Sequence, residues 1–263
     1  MRPTLDKARL RKGIYILPSL FTTGNVFCGF YAFVAALNEK FTVAAWALVV
    51  AIIFDILDGR VARLTKTTSA FGVQYDSLAD IISFGMAPAF LVYCWVLKPF
   101  GRMGWMAAFL FLLCGALRLA RFNVSKPDIR GKYFLGLPIP AAAGVVASIV
   151  LTAGDIWPQR APAGIMVAIV YTLAFLMVSN IKYPALKQLE FKKRVPFTRF
   201  LFVVLFVYVF ITIPKITLFI VSVTYLLLGP LSMIYQPLHR KLISPELPPD
   251  EKQADSGNPA NPR

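Results

Sequence analysis

Four aspartates stand where a mostly apolar chain should hold none. Asp55, Asp58, Asp76 and Asp80 fall within or at the ends of apolar runs, in a 263-residue sequence that is 57% hydrophobic and only 16% charged. A charged side chain placed mid-helix in a bilayer costs at least ~2.5–3.5 kcal/mol by insertion scales, so something must offset it. At about 100° per residue, Asp55, Asp58, Gly59 and Ala62 share one helix face, and Gly72, Asp76, Asp80 and Ser83 share one face of the next helix. The connection between the two, residues 64–71, is short enough to make them antiparallel neighbours, so two carboxylate pairs meet across the interface. Four carboxylates that close repel one another unless cations lie between them. Ligation by oxygen alone, with no His or Cys nearby, favours hard divalent ions, Mg²⁺ or Mn²⁺, over zinc. Gly59 and Ala62 leave the helix surface bare beside such ions, and Arg63 adds a fork-shaped donor suited to phosphate. Helix-end salt bridges to Arg60, Arg63 and Lys66 would account for one acidic pair but not for four acids on converging faces.

The elements that must carry these residues are membrane helices. Apolar runs near 17–37, 41–61, 73–97, 104–122, 138–154, 162–180, 200–213 and 216–234 approach or reach the ~17–25 residues that cross a bilayer. The fold class expected is an all-α integral membrane protein of about eight transmembrane helices, within a range of six to eight. Two runs are weak: 138–154 is interrupted by Pro138, Pro140 and Gly144, and 200–213 is short and ends at Pro214. The basic stretch from Met1 to Gly13 precedes a long apolar run with no small-residue cleavage site, which reads as a retained first helix. The net charge of +15 sits in gaps between apolar runs, not on an exposed stripe, so no nucleic-acid partner is expected. With the N-terminus placed in the cytoplasm, only Lys40, Lys98, Arg102, Arg160 and Lys215 of the 28 Lys and Arg fall outside, which sets both termini inside. Cys28, Cys94 and Cys114, odd in number and all within apolar runs, read as packing residues and not as a disulfide framework. Residues 1–235 form the membrane domain in this reading. Residues 236–263 are a cytoplasmic tail, expected to be disordered from Ser244 on its composition.

The run Asp55-x-x-Asp58-Gly59-x-x-Ala62-Arg63, then eight residues, then Gly72-x-x-x-Asp76-x-x-x-Asp80 resembles the signature of the CDP-alcohol phosphotransferases, with every fixed position filled. The resemblance implies a six-helix catalytic core, a homodimer, and a two-metal site that transfers a phosphoalcohol from a CDP-linked donor with release of CMP. It implies that Asp55, Asp58 and Asp76 ligate the two cations, Mg²⁺ or Mn²⁺, and that Asp80 is both ligand and catalytic base. Gly59 and Ala62 would then line the cytidine site and Arg63 would contact the diphosphate. Flanking motifs around Pro18–Gly29, Asp76–Pro88, Leu117–Asn123 and Phe134–Pro140 look like the phosphatidylserine synthases of that superfamily. They imply CDP-diacylglycerol and L-serine as substrates, with membrane lipid as surroundings.

A serine acceptor brings a carboxylate, for which a bidentate Arg is the natural partner. Arg118 and Arg121, at the end of the fourth run with Asn123 and Lys132 nearby, are the candidates, and Arg121 is expected to bind that carboxylate. Thr22 and Asn25, one helical turn apart on the first run, are expected to reach phosphate or metal waters, with helix-to-helix hydrogen bonding as the alternative. Ser83 is expected either to place the acceptor or to pack between helices. The basic 182–199 stretch suits anionic headgroups. Glycerol 3-phosphate, inositol phosphate or choline are the other acceptors to weigh. A divalent-cation transporter is the competing class, because intramembrane carboxylates also mark ion pathways. The absence of a targeting signal and the basic bias suit a bacterial inner membrane.

Overall fold

The computed structural model describes residues 5–65, 69–124, 133–156, 162–184 and 197–243. Each of the eight apolar runs falls on a helix. Helix α1 spans Leu5–Leu37 and α2 spans Phe41–Thr65. At 1.5 Å per residue the 25 residues of α2 reach about 37 Å, longer than a ~30 Å hydrocarbon core. The turn between them closes through Glu39, whose φ of 59° ends α1 in the left-handed region. The two helices pack through small residues, with Ala32, Ala35 and Ala36 buried in one cluster with Ala44, Ala45 and Leu48. Small side chains let helix backbones approach closely where lipid provides no competing hydrophobic drive.

Ser69 caps α3 (Ala70–Asp80), its Oγ accepting from the Gly72 N–H at 2.9 Å. The helix runs on without a break through a π-helical turn at Ile81–Met86 into α4 (Ala87–Val92). Pro88 supplies the reason for the widened turn: it has no N–H for the Phe84 carbonyl, and its ring would crowd that oxygen in a regular α-turn. A second π-helical turn (Tyr93–Leu97) and a 3₁₀ turn (Lys98–Phe100) lead to Gly101, at φ 53°. From there α5 (Gly101–Val124) doubles back, packing so closely that a Cβ at Gly104 would collide with the Leu97 carbonyl. The 55-residue apolar stretch Ala70–Val124 is therefore two antiparallel arms.

Helix α6 (Ile139–Ile156) corresponds to the run weakened by prolines, yet it is the central helix of the core. Pro140 lies in its first turn, where the missing N–H would have had no partner. Ala142, Ala143, Val146 and Ala147 are fully buried along it. Helix α7 (Ala163–Val178) packs on α5. Two short strands, β1 (Tyr133–Leu135) and β2 (Lys182–Pro184), form an antiparallel ribbon in register Phe134 with Tyr183. This ribbon is a small addition to an otherwise helical chain among the described residues. Helix α8 (Phe197–Thr212) has its apolar side chains exposed all round from Leu201 to Val209, whereas α9 (Pro214–Ile243) lies against α6 and β2. The expected tail from Ser244 onward lies outside the described residues. With helices this long and apolar, the chain is a multi-pass membrane protein.

Candidate metal and phosphate site

The four aspartates come from two elements, the C-terminal half of α2 and α3. Asp55, Asp76 and Asp80 each offer a carboxylate oxygen within 4.8 Å of the others. Asp58 flanks this cluster within electrostatic range of Asp76 and Asp80, and it is held by Thr22, whose Oγ1 donates to Asp58 Oδ2 at 3.0 Å. Thr22 and Asp58 are both buried, at 4% and 5% exposure. The first helix thus fixes one carboxylate, and a second tie from Thr23 Oγ1 to the Tyr75 hydroxyl at 3.0 Å fixes α1 to α3.

Several polar atoms in this region are buried without a hydrogen-bond partner: Asp76 Oδ1, Asp80 Oδ1, both amide atoms of Asn25, and Arg118 Nε. An unpaired buried polar group costs about 1–3 kcal/mol, and more when it is charged. Three converging carboxylates, two of them with an orphaned oxygen, and no thiolate or imidazole among them fit hard divalent cations, which would satisfy those lone pairs and cancel the repulsion. A purely structural cluster would leave both deficits standing.

The other predicted residues divide into three groups. Gly59 and Ala62 lie on the same face of α2 as Asp55 and Asp58, and Arg63 folds back over the bare glycine, with its Nη1 3.5 Å from where a Cβ would stand. Arg63 is exposed and within electrostatic range of both Asp55 and Asp58. Asn25 is completely buried, and its backbone carbonyl accepts from Ser83 Oγ at 3.0 Å. That bond crosses the closest approach of α1 to the π-helical turn, where a Cβ on Gly29 would collide with Ser83. Ser83 therefore holds two helices together directly beside Asp80.

The two arginines of α5 play different parts. Arg118 is 7% exposed and lies within electrostatic range of Asp80, its guanidinium carbon 5.4 Å from the Phe122 ring centroid and 5.8 Å from that of Phe134. Arg121 turns to the ribbon instead. Its Nη1 donates to the Val178 carbonyl and to Asn180 Oδ1, at 3.0 and 3.1 Å, and its Nη2 donates to the Leu135 and Ser179 carbonyls, both at 3.0 Å. Four N–H groups of one guanidinium are engaged at the carbonyl end of α7, where a cation also meets the helix dipole. The fork expected for an acceptor carboxylate is thus taken up by three backbone carbonyls and the Asn180 side chain, and of the two it is Arg118 that lies within electrostatic range of Asp80. Asn123 donates to Ser77 Oγ at 3.0 Å. Lys132 and most of the basic 182–199 stretch lie outside the described residues.

Sequence reasoning missed Phe134 and Tyr225 as neighbours of Arg118, and Tyr183 as the neighbour of Tyr225. Tyr183 is completely buried, and its ring stacks on Tyr225 at 5.8 Å. Burial, with Tyr225 beside it, pushes the Tyr183 phenol up to about 12. No spacing rule links a residue of α5 to one of α9, so only the tertiary fold brings these together.

These features define a polytopic helical membrane protein with an oxygen-rich cluster of carboxylates between its second and third helices. The model of the family described as CDP-alcohol phosphatidyltransferase matches residues 15–179, and the chain belongs to that family. A Helicobacter pylori protein named CDP-diacylglycerol–serine O-phosphatidyltransferase is 39% identical over 217 residues, covering 82% of this chain and 90% of that protein. An archaetidylserine synthase of Methanothermobacter thermautotrophicus is 39% identical over 170 residues, 64% of this chain and 69% of its own length. A Bacillus subtilis protein bearing the same name as the first is 31% identical over 172 residues, 65% of this chain and 92% of its own.

Proposed function

We propose that this protein transfers the phosphatidyl group of CDP-diacylglycerol to the hydroxyl of L-serine, giving phosphatidylserine and CMP. The observation that carries this reading is the convergence of Asp55, Asp76 and Asp80 within 4.8 Å, with orphaned oxygens and a buried arginine alongside. Serine appears as acceptor in the names of the relatives described above, and the chain spans nine-tenths of one of them.

Asp55, Asp58, Asp76 and Asp80 would hold two divalent cations, Mg²⁺ or Mn²⁺, whose charge would stabilise the diphosphate and the departing CMP. The chain's own groups do the rest. Gly59 and Ala62 leave room for the cytidine, and Arg63 lies beside them to take a phosphate oxygen. Thr22 keeps Asp58 in place, and Ser83 keeps the π-helical turn against Asn25 so that Asp80 holds its position. Asn25 supplies amide donors and an acceptor at the buried wall. Arg118 pairs with the serine carboxylate, and Arg121 supports it by fixing the ribbon. The serine hydroxyl oxygen forms a bond to the phosphatidyl phosphorus, the bond from that phosphorus to the CMP oxygen breaks, and the hydroxyl proton passes to the Asp80 carboxylate.

The membrane domain in this reading is 1–235 with a tail at 236–263, in a bacterial inner membrane, as a homodimer with both termini in the cytoplasm. A different acceptor is the alternative within the family. Against transport stands the gathering of the acids in a single cluster, with no second acidic cluster among the described residues.

The test is CMP release by purified protein given Mn²⁺ or Mg²⁺ and CDP-diacylglycerol, with and without L-serine, beside Asp80→Asn. Release that depends on serine and collapses in the variant is the expected result. Release driven only by another alcohol removes serine, and metal flux into proteoliposomes without any turnover removes the enzyme.

A further inference from the structure

The family match ends at residue 179, yet the chain beyond it builds part of the wall around Arg118. Arg118 is buried with an unpartnered Nε, so its orientation depends on what packs round it. Phe122, one turn on along α5, supplies one face and Phe134 of β1 another. Tyr225 of α9 comes within electrostatic range of the same guanidinium.

The ribbon carrying Phe134 pairs over only three positions, too few to hold shape by itself. Arg121 ties it on one side. On the other side α9 packs on it: the Ser232 hydroxyl lies 3.0 Å from the Lys182 carbonyl and shares its one proton between that oxygen and the Gly229 carbonyl at 2.7 Å, and the Tyr183 hydroxyl approaches the Leu226 carbonyl at 3.4 Å. The Tyr183 ring fills the notch at Gly229, where any Cβ would collide with it. That ring also lies opposite Phe134 in register and stacks on Tyr225. Tyr183 therefore joins the two outer walls of the arginine, one from the ribbon and one from α9.

We propose that Tyr183 and Tyr225 are positioning residues for acceptor binding, with α9 latching the β-ribbon through the Tyr183–Gly229 contact so that Arg118 is held toward the acceptor side of the aspartate site. This rests on the reading of Arg118 as the partner of the acceptor's anionic group. The latch is built from β2 and α9, not from the two helices that carry the aspartates, so it acts on the acceptor and leaves the nucleotide donor alone. Tyr225 adds a phenol within electrostatic range of the same guanidinium.

The test uses the full-length protein in detergent, assayed for CMP release with each substrate varied in turn. Tyr183→Ala and Gly229→Val are expected to raise the KM for L-serine about tenfold, while the KM for CDP-diacylglycerol stays within about twofold. Tyr183→Phe, which keeps the ring, is expected to restore a near-normal serine KM. Tyr225→Phe is expected to raise it about threefold, as loss of one hydrogen-bonding group would. An unchanged serine KM in both Tyr183→Ala and Tyr225→Phe overturns the proposal, as does a parallel rise in both KM values, which is the mark of general loosening. Gly229→Val failing to fold leaves these two variants to decide. If the wild type accepts a different alcohol, the serine reading fails and the same variants are read on that alcohol's KM. If it accepts none, the latch falls together with the reading.

Discussion

Single side chains set the chemistry. Asp80 combines burial, an orphaned oxygen and two neighbouring carboxylates, so in the proposed mechanism exchanging it for the neutral isostere removes a cation ligand and a proton acceptor together. Asp80→Asn is expected to lower kcat at least ~10²-fold, the usual contribution of a positioned base, without abolishing folding; serine-dependent CMP release measures it. Thr22 acts one step away. Thr22→Val keeps the volume and deletes the 3.0 Å bond to Asp58, and the loss of one charge-assisted hydrogen bond, about 1.5 kcal/mol, predicts roughly a tenfold fall in kcat. A Thr22→Val enzyme as fast as the wild type would show that Asp58 needs no such support. Cations that bind only the folded site stabilise it by mass action. Mn²⁺ is therefore expected to raise the thermal unfolding temperature of the wild type, EDTA to reverse this, and Asp55→Asn to blunt it, all readable without turnover.

Elements decide whether those side chains meet. The π-helical turn after Asp80 exists because of Pro88, and it turns Ser83 toward α1; the β-ribbon exists because Arg121 gathers carbonyls from β1 and the end of α7. An ammonium cannot make four such bonds in fork geometry, so Arg121→Lys is expected to destabilise the fold by roughly 2–3 kcal/mol, measured by thermal unfolding in detergent. Gly136, at φ 76°, enters the same turn, with the Met177 carbonyl where a Cβ would go. Tyr183 gives the ribbon a pH signature. Its phenol rises from 10.0 to about 12, so the buried neutral form is favoured in the folded state. That stability is fully present below pH 10 and is lost as pH climbs through about 12. Tyr183→Phe should therefore unfold less readily than the wild type between those values and no differently at neutral pH; identical alkaline unfolding curves would remove the assignment.

At the level of the whole molecule, the basic residues predict sidedness. A thiol introduced at Ser256 should react only with reagent on the cytoplasmic face, and one at Glu39 only from the opposite face; the reverse pattern would invert the orientation. The architecture was legible to a large extent in the sequence, because membrane helices are written in long apolar runs and each of those runs became a helix. The aspartate cluster was legible for a similar reason: its members are local, carried by two adjacent helices whose 3.6-residue period puts them on facing sides. Other features had no such local trace. Pro138, Pro140 and Gly144 made α6 look weak, yet it became the centre of the core, since a proline in a first turn forfeits no bond and small residues suit a crowded interior. Arg118 and Arg121 looked alike from their positions in the sequence. Only the tertiary structure separated them, by bringing the end of α7 and the ribbon under one guanidinium and Phe134 and Tyr225 against the other. The sequence by itself determined the bilayer as solvent and the clustering of the carboxylates, because both follow from residue type and short-range period. Which arginine faces the acids, and what holds it there, were decided by contacts between segments tens of residues apart, which no local pattern encodes.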